Sequence, residues 1–381
     1  MRVHSCVPGA GDDAHISDSH RCIGNEASRS LRGYIVKGAA LEQGGFQWKG
    51  GRPSGRSSPG VLLGIGFLLA AVVWPFVGKE YQVYLSLSFF SYSIALLGLN
   101  LLFNYTGLIS FGHALFLGIG GYTAAFMTHK YSILSMELII VVAVVLSGLV
   151  AFLTGLICVR YIKIYFAMLT LAFGMLFHSF LMKTYSLTGG DEGMHVTQPK
   201  LLGMDLSQMD KMSFFSGPYY FYSLVFFLAA AFLMWRIVHS HFGLSLQAIR
   251  DNPDKAEYLG VSIRRYRLYA FVISGCFTGL GGALMAPVTG HMDPAMVFWT
   301  HSGDMVFMTL LGGFSNFFGP MLGSLVFIFL RDAVSSFTEY WRFIFGALLA
   351  ALVILAPGGL MGLLGKVWSS VAGPGSKEQA A

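Results

Sequence analysis

Residues 98–126 read GLNLLFNYTGLISFGHALFLGIGGYTAAF. They lie inside a run from Tyr81 to His129 that holds no Asp, Glu, Lys or Arg. Roughly 20 apolar residues already span a bilayer, so a charge-free run of this length calls for lipid, or a helical bundle within lipid, around it. The stretch is not uniformly apolar. Asn100, Asn104, Thr106, Ser110 and His113 sit among glycines at 98, 107, 112, 118, 120 and 121. Glycine bends helices and lets backbones approach closely. Lipid cannot satisfy polar groups at membrane depth, so these must face protein or a water-filled route. The segment reads as a pathway and not merely as an anchor.

Composition agrees. Of 381 residues, 55% are hydrophobic and 12% charged, against roughly 25% charged in an ordinary soluble domain. The 47 glycines suit helix contacts in a polytopic membrane protein. Net charge is +6, but the basic residues fall in short segments between apolar runs. That is a membrane-topology pattern, not the dense basic patch of a nucleic-acid binder. Cys6 and Cys22 lie in the N-terminal tail, and Cys158 and Cys276 are single residues in apolar runs. With no CxxC pair, a thiol metal site is not expected. No cofactor is expected either.

The predicted fold is an all-α polytopic membrane protein with eight to ten transmembrane helices, some broken or re-entrant, and a short cytoplasmic coupling helix. Residues 1–60 read as a disordered tail, or as the product of an upstream start, since the membrane part does not need them. The transmembrane domain covers 61–365, and 366–381 form a disordered C-terminal tail. Spans are expected near 61–78, 82–103, 107–128, 138–158, 164–182, 217–235, 268–289, 305–330 and 343–364. The third and eighth carry glycine-rich breaks and read as single spans or as pairs of half-helices.

Lys and Arg set the orientation. The 236–267 loop carries Arg236, Arg250, Lys255, Arg264, Arg265 and Arg267 against Asp251, Asp254 and Glu257, and so faces the cytoplasm. The acid-rich loop from Lys183 to Phe215 faces outward. Phe111-Gly112-His113-Ala114-Leu115 has a weak echo in Phe318-Gly319-Pro320-Met321-Leu322, each after a glycine-bearing break, Thr106-Gly107 and Gly312-Gly313. Internal repeats whose broken helices meet at the substrate route are common in transporters.

Within the cytoplasmic loop, Asn252 is a good N-cap, Pro253 suits the first helical position, and Asp254 complements the helix N-terminus. Ala256, Leu259, Gly260 and Ile263 fall at helical spacing and predict one small-residue face. That face either docks another protein or lies on the membrane surface.

Here the residues resemble a known family. Asp254, Lys255, Ala256 and Gly260 are similar to the Glu-Ala-Ala…Gly motif of ABC importer permeases, with Asp for Glu and Lys255 departing from Ala. Gly98–Leu102, Thr106–Ala114, Tyr165–Phe173, Thr188–Met194, Leu311–Gly323 and Ala356–Leu360 follow the order of the branched-chain amino acid ABC transporter permease family from about residue 61 to 365. The resemblance implies a permease subunit in the bacterial inner (plasma) membrane. It implies a homologous second permease, two ATP-binding cassette ATPases and a periplasmic or surface solute-binding protein as partners. The solute would be a branched-chain or related amino acid, with urea or short amides as alternatives. Coupling to the ATPase would fall on Asp254, Ala256, Glu257, Leu259 and Gly260. The translocation path would involve Asn100, Asn104, Thr106, Ser110, His113, Gly312 and Gly313.

The division of labour fits the rest of the sequence. There is no Gly-x-x-x-x-Gly-Lys-Ser/Thr phosphate loop, and the only Lys followed by Ser or Thr is Lys183-Thr184. The chain is therefore not expected to be an enzyme. A gradient-driven secondary transporter would need a coupling acid or base within a span, and the expected spans between 61 and 182 hold no charged residue. His113 either lines the route or mends the break, with the mending role favoured. Thr170 reads as a packing residue, His239 and His241 as interfacial. Asp304 is an ionisable group near the membrane. Thr188 to Gly193 form either a docking surface or a turn.

Overall fold

A computed structural model describes residues 71–204, 209–355 and 358–362. Both expected tails, and most of the first expected span, lie outside the described residues, as do Ala356 and Pro357 of the last motif. Residues 71–77 are helical.

The charge-free run folds as two helices with an irregular link. α1 (Glu80–Asn100) continues into a π-helical turn (Leu101–Thr106), and α2 (His113–Ala125) ends in a second π turn (Phe126–Lys130). Every residue of α2 is buried, and so is most of α1. A helix apolar all round belongs at the centre of a bundle.

α3 (Met136–Cys158) and α4 (Ile164–Lys183) follow. Val141, Val145, Leu149, Phe152 and Leu156 form an exposed apolar stripe on α3 at helical spacing, the face a bilayer covers. Beyond α4, Met194–His195 pair antiparallel with His291–Met292 in a two-stranded ribbon. α5 (Pro218–Val238) is followed by α6 (His241–Asp251), α7 (Pro253–Tyr258) and the central α8 (Ile263–Thr289).

α8 packs against α1, α2 and α3. Ala151 meets Gly275, Ser147 meets Gly279, and Gly155 meets Phe271. These pairs step four residues at a time in opposite directions, so α3 and α8 are antiparallel with interlocking ridges. At Gly282 an added Cβ would strike the Leu117 carbonyl of α2. Small residues let backbones touch where dispersion, not water exclusion, holds helices together.

α9 (Trp299–Gly312), α10 (Gly319–Ser335) and α11 (Trp341–Leu355) complete the described fold. Gly312 abuts both Gly319 and Gly323, making α9 and α10 an antiparallel hairpin. The 305–330 segment is thus two helices. At 14 and 17 residues and ~1.5 Å per residue, each falls short of a hydrocarbon core of about 30 Å. Among the described residues, five helices are long and apolar enough to cross a membrane: Glu80–Thr106, Met136–Cys158, Ile164–Lys183, Lys211–Val238 and Ile263–Thr289. Most of the first expected span and part of the last lie outside the described residues, and α9, α10 and α11 are each under 18 residues, so the expected eight to ten spans are not counted by that measure.

Candidate functional site

The first break begins where Gly107 takes a left-handed conformation, φ 70°, which a side chain would resist. Thr106 Oγ donates to the Leu102 carbonyl and the Leu108 amide donates to the same oxygen at 3.1 Å. These bonds close the end of α1. The helix restarts at His113.

Polar side chains mend this gap. Ser274 Oγ in α8 donates to the Gly98 carbonyl at 2.6 Å. Its single proton is then spent, so it accepts from His113 Nε2–H at 2.6 Å. His113 Nδ1 accepts the Ser110 hydroxyl at 2.9 Å, and Ser110 Oγ accepts the Gly112 amide at 3.3 Å. This assignment of hydrogens satisfies every member. The Ala114 amide donates to Ser302 Oγ in α9 at 3.0 Å, satisfying one of the free donors of the first turn of α2. Ser110, His113 and Ser274 are fully buried. Gly112 lies against the Thr170 carbonyl of α4, where a Cβ would collide.

The second break repeats the design. Gly313 has φ 99°, and the next helix starts at Gly319, six residues on, just as His113 follows Gly107 by six. The sequence echo paired Gly112 with Gly319, one residue out of this structural register. Gly359 closes over Gly313. Ser93 Oγ and Ser324 Oγ, 2.8 Å apart, join α1 to α10.

Asn104 stands between the two breaks. Its amide nitrogen reaches the Ser315 carbonyl at 3.5 Å, and its own carbonyl accepts from Arg250 Nη1 at 2.6 Å. Asn100 is buried one turn earlier, and its Oδ1 has no partner among the described residues. Buried polar atoms without partners are uncommon and mark places to ask about function.

The loop between α5 and α8 carries α7. Asn252 caps it, its side chain accepting from the Lys255 amide at 3.0 Å, and Pro253 opens it. The helix ends earlier than its spacing predicts. Gly260 is left-handed at φ 84°, its amide bonding the Glu257 carbonyl and the Val261 amide bonding Ala256, a glycine C-terminal stop. The expected single face of Ala256, Leu259, Gly260 and Ile263 therefore does not form. Ala256 is buried, Leu259 and Gly260 are exposed, and Ile263 begins α8. Asp254 and Glu257 are exposed. Tyr258 is 92% and Leu259 84% exposed, the apolar tip of the loop.

The structure thus gathers Asn104, Thr106, Ser110 and His113 at the first break and Gly312 and Gly313 at the second, with Asn104 touching both. The α7 residues form a separate surface. Ser274, Ser302 and Ser315 were not singled out from sequence, although two of these serines lie on apolar helices, the signal that drew attention to His113. The Thr188–Gly193 turn is tied locally, with Thr188 Oγ donating to the Leu181 carbonyl at 2.7 Å. No cluster that could hold a metal occurs among the described residues.

Residues 81–353 match the family described as "Branched-chain amino acid transport system / permease component". The chain is 28% identical over 314 residues to the high-affinity branched-chain amino acid transport system permease protein LivM of Escherichia coli, covering 78% of this chain and 74% of that protein. It is 28% identical to LivM of Salmonella typhimurium, covering 83% of this chain and 78% of that one. A shorter likeness, 29% over 149 residues, covers 35% of this chain and 46% of the nucleoside ABC transporter permease protein NupC of Lactococcus lactis. No solved structure matches the chain. With the matched region running from the start of α1 into α11, the chain belongs to the family of branched-chain amino acid transport system permease components.

Proposed function

We propose that this chain is the membrane-spanning permease subunit of a binding-protein-dependent ABC importer in a bacterial inner membrane. It would move branched-chain or related amino acids by alternating access. The observation that carries the reading is α7. A capped six-residue helix, seated through the buried Ala256 and with Tyr258 and Leu259 bare at its end, is a short lever with an apolar handle. Tyrosine is among the residues that most often carry the binding energy of a protein interface. The 236–267 loop would face the cytoplasm, where two ATPase subunits would seat on the exposed Asp254, Glu257, Leu259 and Gly260, with the buried Ala256 anchoring α7 beneath them. A homologous permease would complete the bundle, and a binding protein would deliver solute on the opposite side, near the Thr188–Gly193 turn.

The two breaks would flank the route. Asn100, Asn104, Thr106, Ser110, His113, Gly312 and Gly313 lie where helix backbone is interrupted, and interrupted helices carry substrate sites and motion in many transporters. Within that set, Ser110 and His113 hold the break together, while Asn100, with its unpartnered carbonyl oxygen, is the residue best placed to meet solute.

The test is reconstitution of the permease pair with its ATPases in liposomes. Leucine uptake that requires ATP and the binding protein is expected. Uptake driven by an ion gradient without ATPase subunits would replace this reading with secondary transport. The likeness to a nucleoside permease favours nucleosides as the second substrate class, so uridine uptake under the same conditions discriminates between solutes.

A further inference from the structure

Arg250 closes α6, and Asn252 serves both as the C-cap of α6 and the N-cap of α7. The two helices share that residue. From this loop the Arg250 guanidinium reaches into the end of α1. Nη1 donates to the Asn104 carbonyl at 2.6 Å and to Asn104 Oδ1 at 3.3 Å. Nε and Nη2 are held by Asp251 Oδ1, both at 2.9 Å. The guanidinium fork is planar, so occupying both of its edges fixes its orientation.

Its target is specific. Asn104 lies in the π turn just ahead of the left-handed Gly107, where carbonyls lack helical partners and a cation complements the helix C-terminus. The Arg250 stem lies across Gly107, and an added Cβ there would come within 3.0 Å of Arg250 Cγ. The same Asn104 side chain contacts Ser315 in the second break. One arginine from the loop therefore touches the first break and, through a single amide, the second.

We infer that Arg250 is a positioning residue that ties the loop to both helix breaks, so that displacement of α7 shifts Asn104, Gly107 and Ser315 together. This deepens the importer reading and rests on it. Coupling between sites is typically worth about 5–150-fold, and uptake per ATP hydrolysed should fall within that range when the tie is cut.

The experiment uses the full complex in liposomes, with leucine uptake and ATP hydrolysis measured together for wild type, Arg250→Ala and Arg250→Lys. Ile109, 41% exposed beside the break, carries a cysteine reporter in a background lacking the four native cysteines. In Arg250→Ala, binding-protein-stimulated hydrolysis is expected to persist while uptake per ATP drops and the reporter no longer responds to ATP. A merely structural role would lower both rates together and leave their ratio intact. Arg250→Lys, which keeps charge but not the fork, should give an intermediate ratio, and it serves alone if the alanine variant fails to assemble. An unchanged ratio in the variants beside a working wild type overturns this inference only. Absence of ATP-driven uptake by wild type overturns the importer reading and this inference with it.

Discussion

His113 Nε2 lies 2.6 Å from Ser274 Oγ, across 161 positions of sequence. The contact joins the first residue of α2 to the middle of α8, and Ser274 passes it on to the Gly98 carbonyl of α1. Three helices thus meet on one imidazole and one hydroxyl, at a depth where no solvent substitutes for a lost partner.

Ser274→Ala should destabilise the subunit by about 1–3 kcal/mol, since it strands the His113 Nε2–H in a dry site. His113→Ala removes more contacts and should cost more. Thermal unfolding in detergent reads both. A Ser274→Ala protein that melts with wild type would show that the network is not under load.

Two glycines on α9 should respond in opposite directions. Gly312 abuts the Gly319 and Gly323 backbones, whereas Gly303 has nothing within 4 Å of an added Cβ. Gly312→Ala overpacks the hairpin and should cost ~1–3 kcal/mol. Gly303→Ala only raises helix propensity and should gain up to ~1 kcal/mol. Equal effects on the melting of the isolated subunit would contradict the close hairpin.

What could be read ahead of the structure was local. Asn252-Pro253 announces a helix start through side-chain chemistry confined to one turn, and Gly107 and Gly313 announce backbone that a Cβ would oppose. Contacts across the fold were not legible. Ser274, Ser302 and Ser315 look like ordinary serines until packing places them beside Gly98, Ala114 and Asn104. The run-on of α7 toward Ile263 failed because periodicity ignores handedness: Gly260 is left-handed, and the register restarts with α8. At α9 and α10 the glycines left a single span and a pair of half-helices both open, and only the packing of Gly312 on Gly319 and Gly323 selects the pair.

The tip of α7 should bind its ATPase through Tyr258 and Leu259. Replacing both with alanine is expected to cost ~2 kcal/mol or more, roughly thirtyfold in affinity, as for buried apolar anchors. Pull-down titration of the purified ATPase measures it. Gly260→Arg should go further and abolish ATP-driven uptake while the subunit still inserts, since the position is open but left-handed and strain there is about 1–3 kcal/mol. Undiminished uptake by Gly260→Arg would remove the loop from the coupling surface.

Cysteine accessibility separates a route from its scaffold. Ser110 and His113 are fully buried in this conformation, while Ile109 next to them is 41% exposed. Cysteines at 110 and 113 should therefore resist water-soluble thiol reagents in the resting complex, and a cysteine at 109 should react. If the break opens during the cycle, ATP with loaded binding protein should raise the labelling rate at 110 and 113. The buried Ser147→Cys, in the interior of α3, sets the control level. Labelling at 110 and 113 that stays at the control level through every nucleotide state would make them fixed struts. The moving wall would then have to be sought at Asn100 and along α9.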